Sequence, residues 1–347
     1  MRSKNDLVVS DIGVISPFGI DFSETAEPMN ELTGNYNYIT GFDFYAYNHK
    51  VKSYIDRCSQ LCIHSISQLF SGQTGEKNEQ IGIFTASKYA CLDSSAQYLH
   101  QLRTLAKPQF ASPIKFTHSM CNIPNSLSSI EFGITGASNH NIGDSDATMA
   151  ALWQACYSIE QNEVKEAVVC GFDTLSDEHI RVINIEGNNS GVKYSEAAGA
   201  VKICARSNLT QSDIYFEILG FGFANNKNNL SAANEAIMAS IDDAGMQNKD
   251  ISLFISNFIS NADDEADIGH NLYSNGKYIP HVTLKRYIGE CFAAYPLLAL
   301  AIVCKNDMPA ENGYRIAVNP GDTIVLLGCN PYGNAVAACI KRGGKYA

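Results

Sequence analysis

An α/β fold is predicted from three observations. Strand-like and helix-like segments alternate along the chain. Strand-length runs such as Ala167 to Gly171 are apolar throughout. A second series of elements in similar order begins near Asp213. The length of 347 residues accommodates two domain-sized halves of about 150 residues each. With 45% hydrophobic residues there is ample material for a core.

Asp6 to Ile15 is an apolar run closed by the Ser16-Pro17-Phe18-Gly19 turn. Helix over 51–70, strand over 80–86 and helix over 89–105 follow. Ile123, Leu127, Ile130 and Ile134 then recur at helical spacing, with Gly133 and Gly136 to end the helix. Alternation from Ala137 to Ile142 predicts a strand. Gly143 opens a turn into an apolar helix carrying Met149, Leu152, Trp153 and Cys156. This strand, turn and helix present Ser145 at a helix N-terminus, where free N–H groups and the dipole favour negative charge. Enzymes place nucleophiles at such elbows. A strand at 167–171, a polar Asn/Gly-rich loop at 186–193 and a strand from Ser195 to Cys204 close the first series. The second has strands at 214–223 and 251–258 and a helix at 231–244. A helical segment after Asp263, a helix at about 289–303 and strands at 323–328 and 335–340 complete it.

A formal net charge of -11 argues against sequence-independent nucleic-acid binding, which needs clustered Lys and Arg. No charged-then-apolar leader opens the chain and no apolar run approaches a bilayer span, so a cytosolic protein is expected. Eleven cysteines are scattered without metal-ligand spacing, many in apolar runs, which reads as buried reduced thiols. Cys58 and Cys62 stand one helical turn apart without a second pair, so no metal is expected.

The stretch from Ser112 to Thr148 resembles the active-site region of the β-ketoacyl-acyl-carrier-protein synthases. Aligned without gaps, Asn122 falls on that family's helix Asn, and Phe132, Gly133 and Gly136 on its turn. Gly143 to Thr148 falls on its nucleophile motif, so Ser145 stands where the family has Cys. Gly13, Ser16, Pro17 and Gly19 match its first corner, Gly171 to Thr174 its Gly-Gly-x-Glu turn, and Ser195 to Val201 its Gly-Glu-Gly-Ala-Gly-Ala segment. The resemblance implies a thiolase-type fold: two similar βαβαβαββ halves, over residues 1–207 and 208–347, in a layered α-β-α-β-α architecture.

It also implies chemistry that the sequence lacks. A ketosynthase needs a thiolate nucleophile, an oxyanion hole and two donors, usually His, for decarboxylation and enolate stabilisation. The first His position falls on Phe258, whose ring neither donates a hydrogen bond nor carries a proton. At the second, Lys285 and Gly289 are kept but Glu290 replaces the His, and a carboxylate would repel a developing enolate unless protonated. His270 and His281 match neither motif. The closing Gly-Phe-Gly-Gly-Thr-Asn becomes Cys329 to Asn334, where Pro331 removes one N–H. Ser145 lacks a His in the aligned sequence to serve as base, and Asp144 and Asp146 flank it.

The reading is a non-catalytic, chain-length-factor-like subunit, needing no cofactor, that pairs with an active β-ketoacyl synthase. The pair would elongate a polyketide, polyene or unusual fatty acyl chain, with aryl-polyene-type systems the nearest comparison. The resemblance places the dimer interface along Ala137, Ser138, Asn139, His140, Asn141 and Ile142. Lys115, Phe116, His118 and Met120 become candidates for shaping the end of the acyl tunnel, the alternative being that they pack inside this subunit. Carrier protein would dock mainly on the partner, because both it and this chain are acidic. Two other classes stay open: an acyltransferase or thioester hydrolase using Ser145, and a homodimer that binds acyl chains without chemistry.

Overall fold

The computed structural model describes residues 7–24, 32, 34–53, 55–70, 77–186, 191–207, 209–257, 279–305, 307–309 and 315–345. Ten strands share one hydrogen-bonded sheet. Five come from the first series: β1 (Leu7–Ile15), β2 (Ile81–Ser87), β3 (Ser138–Ile142), β4 (Glu166–Asp173) and β5 (Ala197–Ala205). Five come from the second: β6 (Phe216–Asn225), β7 (Leu253–Ser256), β8 (His281–Val282), β9 (Thr323–Cys329) and β10 (Asn334–Arg342). Across the sheet they run β8, β7, β9, β10, β6, β1, β5, β4, β2, β3. Each set of five therefore has the same internal order: third, second, fourth, fifth, first. In each, the fifth strand is antiparallel to the first and fourth, and the second is parallel to the third and fourth. The sets join where Leu7, Val8 and Val9 pair antiparallel with Ile218, Glu217 and Phe216.

The apolar runs are explained by burial of both sheet faces. Ile83, Val168, Cys170, Phe172 and Ala200 pack beneath α1 (Arg57–Ser67), with Phe132 of α4 (Ile123–Phe132). Their neighbours Phe84, Ala86, Val169 and Val201 face the opposite way, into a central core. In the second half Phe254, Val325, Leu327 and Ala337 pack on α7 (Asn229–Asp243). Ile255, Ile324, Leu326 and Ala338 point into the central core. That core is filled by α5 (Ser145–Glu160) and α9 (Tyr295–Val303). Every residue of α9 is buried, as an all-apolar helix requires. The layers are α1 and α4, a sheet, α5 and α9, a sheet, and α7, the thiolase-type arrangement.

Local signals set the ends. The first helix starts at Arg57 rather than 51, because Asp56 accepts the Ser59 N–H at 2.8 Å and caps it. α4 stops where Gly133 takes φ 68°. Between α2 (Leu92–Thr104) and α4 an extra short helix, α3 (Pro113–His118), is capped by Ser112 with Pro113 in its first turn. α6 (Asp177–Glu186) is likewise an addition to the expected elements. The helix expected from about 289 resolves into α8 (Lys285–Ile288), a 3-10 turn at Phe292–Ala294 and α9. Phe258, His270 and the segment after Asp263 lie outside the described residues.

Candidate functional site

β3 ends at Ile142, Gly143 turns the chain, and Asp144 precedes the first turn of α5 with extended backbone, φ -76° and ψ -150°. The elbow anticipated from the sequence is formed. Ser145 on it is completely buried, and its Oγ donates to the Phe292 carbonyl at 2.9 Å. One turn later, Thr148 Oγ1 donates to the carbonyl of Ala293 at 2.5 Å. The elbow is thus fastened to the 3-10 turn of the second half through two side-chain hydroxyls. Two glycines permit the approach. A Cβ on Gly171 would stand 2.1 Å from the Ala293 oxygen, and one on Gly328 would stand 2.5 Å from the Ser145 oxygen.

Phe292 holds φ 49°, a left-handed conformation that is costly for a side-chain-bearing residue. Its ring lies 5.1 Å edge-on from Tyr89 and stacks at 5.9 Å on Tyr194. The Lys88 ammonium sits 4.8 Å from the ring centre. The backbone N–H of Phe292 donates to Glu290 Oε1 at 2.8 Å. Glu290, expected where a ketosynthase has its second imidazole, forms an ion pair with Lys285. The charge of this carboxylate is therefore balanced by the retained lysine.

A second carboxylate, Asp173 at the end of β4, accepts N–H bonds from Lys88, Tyr89 and Ala293 at 3.0 to 3.1 Å. Burial pushes it up to about 7, with those backbone donors pulling the other way. Asp144 rises to about 7 through burial and then the charge of Glu290, against the pull of Lys88 and Lys285. Lys88 stands 3.4 Å from Asp144. Burial lowers the Lys88 pKa, but Asp144, Tyr89 and Glu186 outweigh it and hold the ammonium well above its usual range. Asp146 is pushed up to about 6 by burial, and Asn330 of the closing loop donates to it at 2.8 Å. That loop is anchored by Asn257, whose side chain pairs with both the N–H and the carbonyl of Cys329.

This constellation is a sealed polar joint. Among the described residues, the Phe292 carbonyl is the hydrogen-bond partner of the Ser145 hydroxyl, and no imidazole reaches it to act as base. His281 bonds Ser256 Oγ at 2.8 Å, and His179 bonds Ser176 Oγ at 2.7 Å. No group of three or more His, Cys, Asp or Glu among the described residues is arranged to hold a metal. Cys58 and Cys62 are buried in α1. Lys88 and Asp173 did not stand out in the sequence. Their signal is a charged residue at the carboxyl end of a largely apolar strand, where α/β folds gather their polar sites.

β3 pairs with β2 alone among the described residues and forms the sheet edge. Of the interface candidates on and beside it, Ser138, Asn139 and Ile142 are exposed, and Asn141 is half-buried. His140 turns inward: its ring nitrogens meet Thr85 Oγ1 at 2.8 Å and Ser87 Oγ at 3.4 Å, and burial lowers its pKa to about 4. Ala137 packs against the central core. Asn125, not Asn122, is the buried asparagine of α4, and it donates to the Asn139 carbonyl at 2.8 Å.

The tunnel candidates lie on and just after α3. Lys115 Nζ donates to Gln97 at 3.0 Å, and Phe116 is half-exposed with its ring 5.4 Å from Tyr98. Met120 is exposed, and His118 is half-buried. None of the four lines the groove of about 490 Å³ that runs beside Ile142, Asp146, Ala150, Phe223 and Asn334.

No family model matches the sequence, and no curated protein matches it. Solved structures do. A β-ketoacyl synthase from Burkholderia phymatum superposes with TM-score 0.82 at 14% identity, over 97% of this chain and 99% of that one. The ishigamide ketosynthase/chain length factor gives 0.78 at 14% identity, over 98% and 100%. A ketosynthase in complex with its chain length factor from Xenorhabdus doucetiae gives 0.74 at 14%, over 98% of both. With the duplicated strand order and the helical layer that carries the elbow, these likenesses establish that the chain has the thiolase-type fold of the β-ketoacyl synthases and chain length factors.

Proposed function

We propose that this chain is a non-catalytic, chain-length-factor-like subunit that pairs with an active β-ketoacyl synthase through the edge strand β3. The observation that carries this reading is the fate of Ser145. Its hydroxyl is buried, bound to a backbone carbonyl and without an imidazole base among the described residues, so the elbow serves as structure where an enzyme would hold a nucleophile. Glu290, tied to Lys285 and to the Phe292 N–H, gives the site an acceptor where condensation needs a donor. The open edge and its exposed Ile142 suit continuation of the sheet into a second subunit. Solved assemblies described as ketosynthase with chain length factor share the fold.

In this reading the halves divide at residues 207 and 208, between β5 and β6. Lys115, Phe116, His118 and Met120 on the partner-facing side shape the end of an acyl tunnel in a polyketide or polyene system. Carrier protein docks mainly on the partner. The test is condensation of malonyl thioester with and without a co-expressed ketosynthase. The chain alone gives no product, and the pair does. Ser145→Ala leaves the rate of the pair unchanged while lowering stability by about 1–3 kcal/mol, because the buried Phe292 carbonyl loses its donor. Extension by the chain alone, or its loss in Ser145→Ala with the fold intact, overturns the proposal.

A further inference from the structure

The chain has 36 acidic and 25 basic residues, yet between Ser94 and Gly143 its only acidic side chain is Glu131. That one is buried and engaged with the backbone N–H groups of Lys50 and Val51. The stretch comprises α2, α3, α4 and β3. It forms one continuous region: α2 is tied to the end of α3 by Ser95 Oγ donating to the Ser119 carbonyl at 3.0 Å, and α4 to β3 by Asn125. Its surface carries Arg103, Lys107 and Lys115, none of which has an acidic partner among the described residues. The same stretch exposes large apolar side chains: Phe110 is 71% exposed, with Lys107 against its ring, Ile130 66%, Ile142 64% and Phe116 49%. Apolar groups exposed on this scale mark a contact surface.

We infer that this face selects a different subunit over a second copy of the same chain, by charge. The inference rests on the pairing through β3 proposed above. A two-fold homodimer along β3 brings this stretch close to its own copy, and the stretch then offers three cations and no exposed carboxylate of its own to answer them. Like charges facing across a partly desolvated contact cost affinity and steer approach. A ketosynthase subunit whose corresponding face carries Asp or Glu among apolar residues gains the same apolar contact with attraction in place of repulsion. The apolar residues supply adhesion, and the three cations decide what adheres. The remaining surface, acidic overall, does not share this preference.

The two pairings must answer oppositely to salt. Sedimentation velocity of the full chain, alone and mixed with a purified ketosynthase from the same genome, is read from about 50 to about 500 mM NaCl, a range that cuts the screening length from over 10 Å to roughly 4 Å. The chain alone is monomeric at low salt and self-associates as salt rises, whereas the mixed pair weakens. The variant R103Q/K107Q/K115Q self-associates already at low salt and binds the ketosynthase about tenfold or more weakly, with a flatter salt dependence. A native homodimer that is insensitive to salt or loosens with it overturns the inference. So does a triple variant that matches the native chain in both arms with an unchanged far-UV circular dichroism spectrum. Binding of the native chain, but not the variant, to phosphatidylserine vesicles also overturns it, by assigning the face to a membrane surface. Failure to bind any ketosynthase at any salt removes the subunit reading itself. Tight, salt-indifferent binding removes only the charge rule.

Discussion

Asp144 stands beside Ser145, at the position where a ketosynthase holds its nucleophile, and its carboxyl is held up to about 7 by burial and by Glu290. Its unfolded value is about 3.9. The folded chain therefore keeps a proton that the unfolded chain has released. The contribution of Asp144 to stability falls as pH rises from about 4 to about 7 and is level above that. Asp144→Asn removes this titration. Relative to the native chain, the variant gains up to about 4 kcal/mol across that window in urea unfolding. A native-to-variant difference that stays constant between those pH values would show that the carboxyl titrates normally. Buried histidines such as His140, held below their usual range, act with the opposite sign and are common to both proteins. Ser145 was legible in the sequence as an elbow residue, since the strand, the glycine and the apolar helix are local signals. That its hydroxyl ends on the Phe292 carbonyl was not, because the acceptor lies in the other half of the chain.

At the level of elements, the proposed pairing rests on the edge strand β3 and the helices around it. β3 leaves one side open, and Ile142 at its end is 64% exposed. Ile142→Lys puts a charge into any sheet extended from that edge. It should leave the stability of the isolated chain within about 0.5 kcal/mol of native. Pairing with a ketosynthase should weaken by about tenfold or more, measured by titration calorimetry. Retained affinity would move the interface elsewhere. The existence of β3 followed from alternation between Ala137 and Ile142. Its place at the edge followed from nothing in its own residues, because a strand's neighbours are chosen by the register of the whole sheet. His140 illustrates the gap. It sits inside an exposed strand, yet Thr85 and Ser87 on the adjacent strand draw its ring inward.

Over the whole molecule, the two halves share one core. Leu152 and Ala155 of α5 lie in the same apolar cluster as Leu297 and Leu300 of α9, Val169 of β4 and Leu326 of β9. Neither half can expose its inner face without exposing the other's, so they should unfold together despite the length of the chain. Fluorescence of Trp153, the single tryptophan, which sits on α5 in the middle layer, should report the same urea midpoint as far-UV circular dichroism. Separated midpoints would mean that the halves fold independently. The sequence by itself determined the α/β class, the elbow at Ser145 and the Lys285 to Glu290 motif. Each of these is written in residues close together along the chain. Only the tertiary structure decided that both halves repeat one strand order, that Phe292 and Ala293 seal the elbow, and that Lys88, Asp144 and Asp173 gather there. Those facts depend on contacts between residues more than fifty positions apart, which local periodicity does not encode.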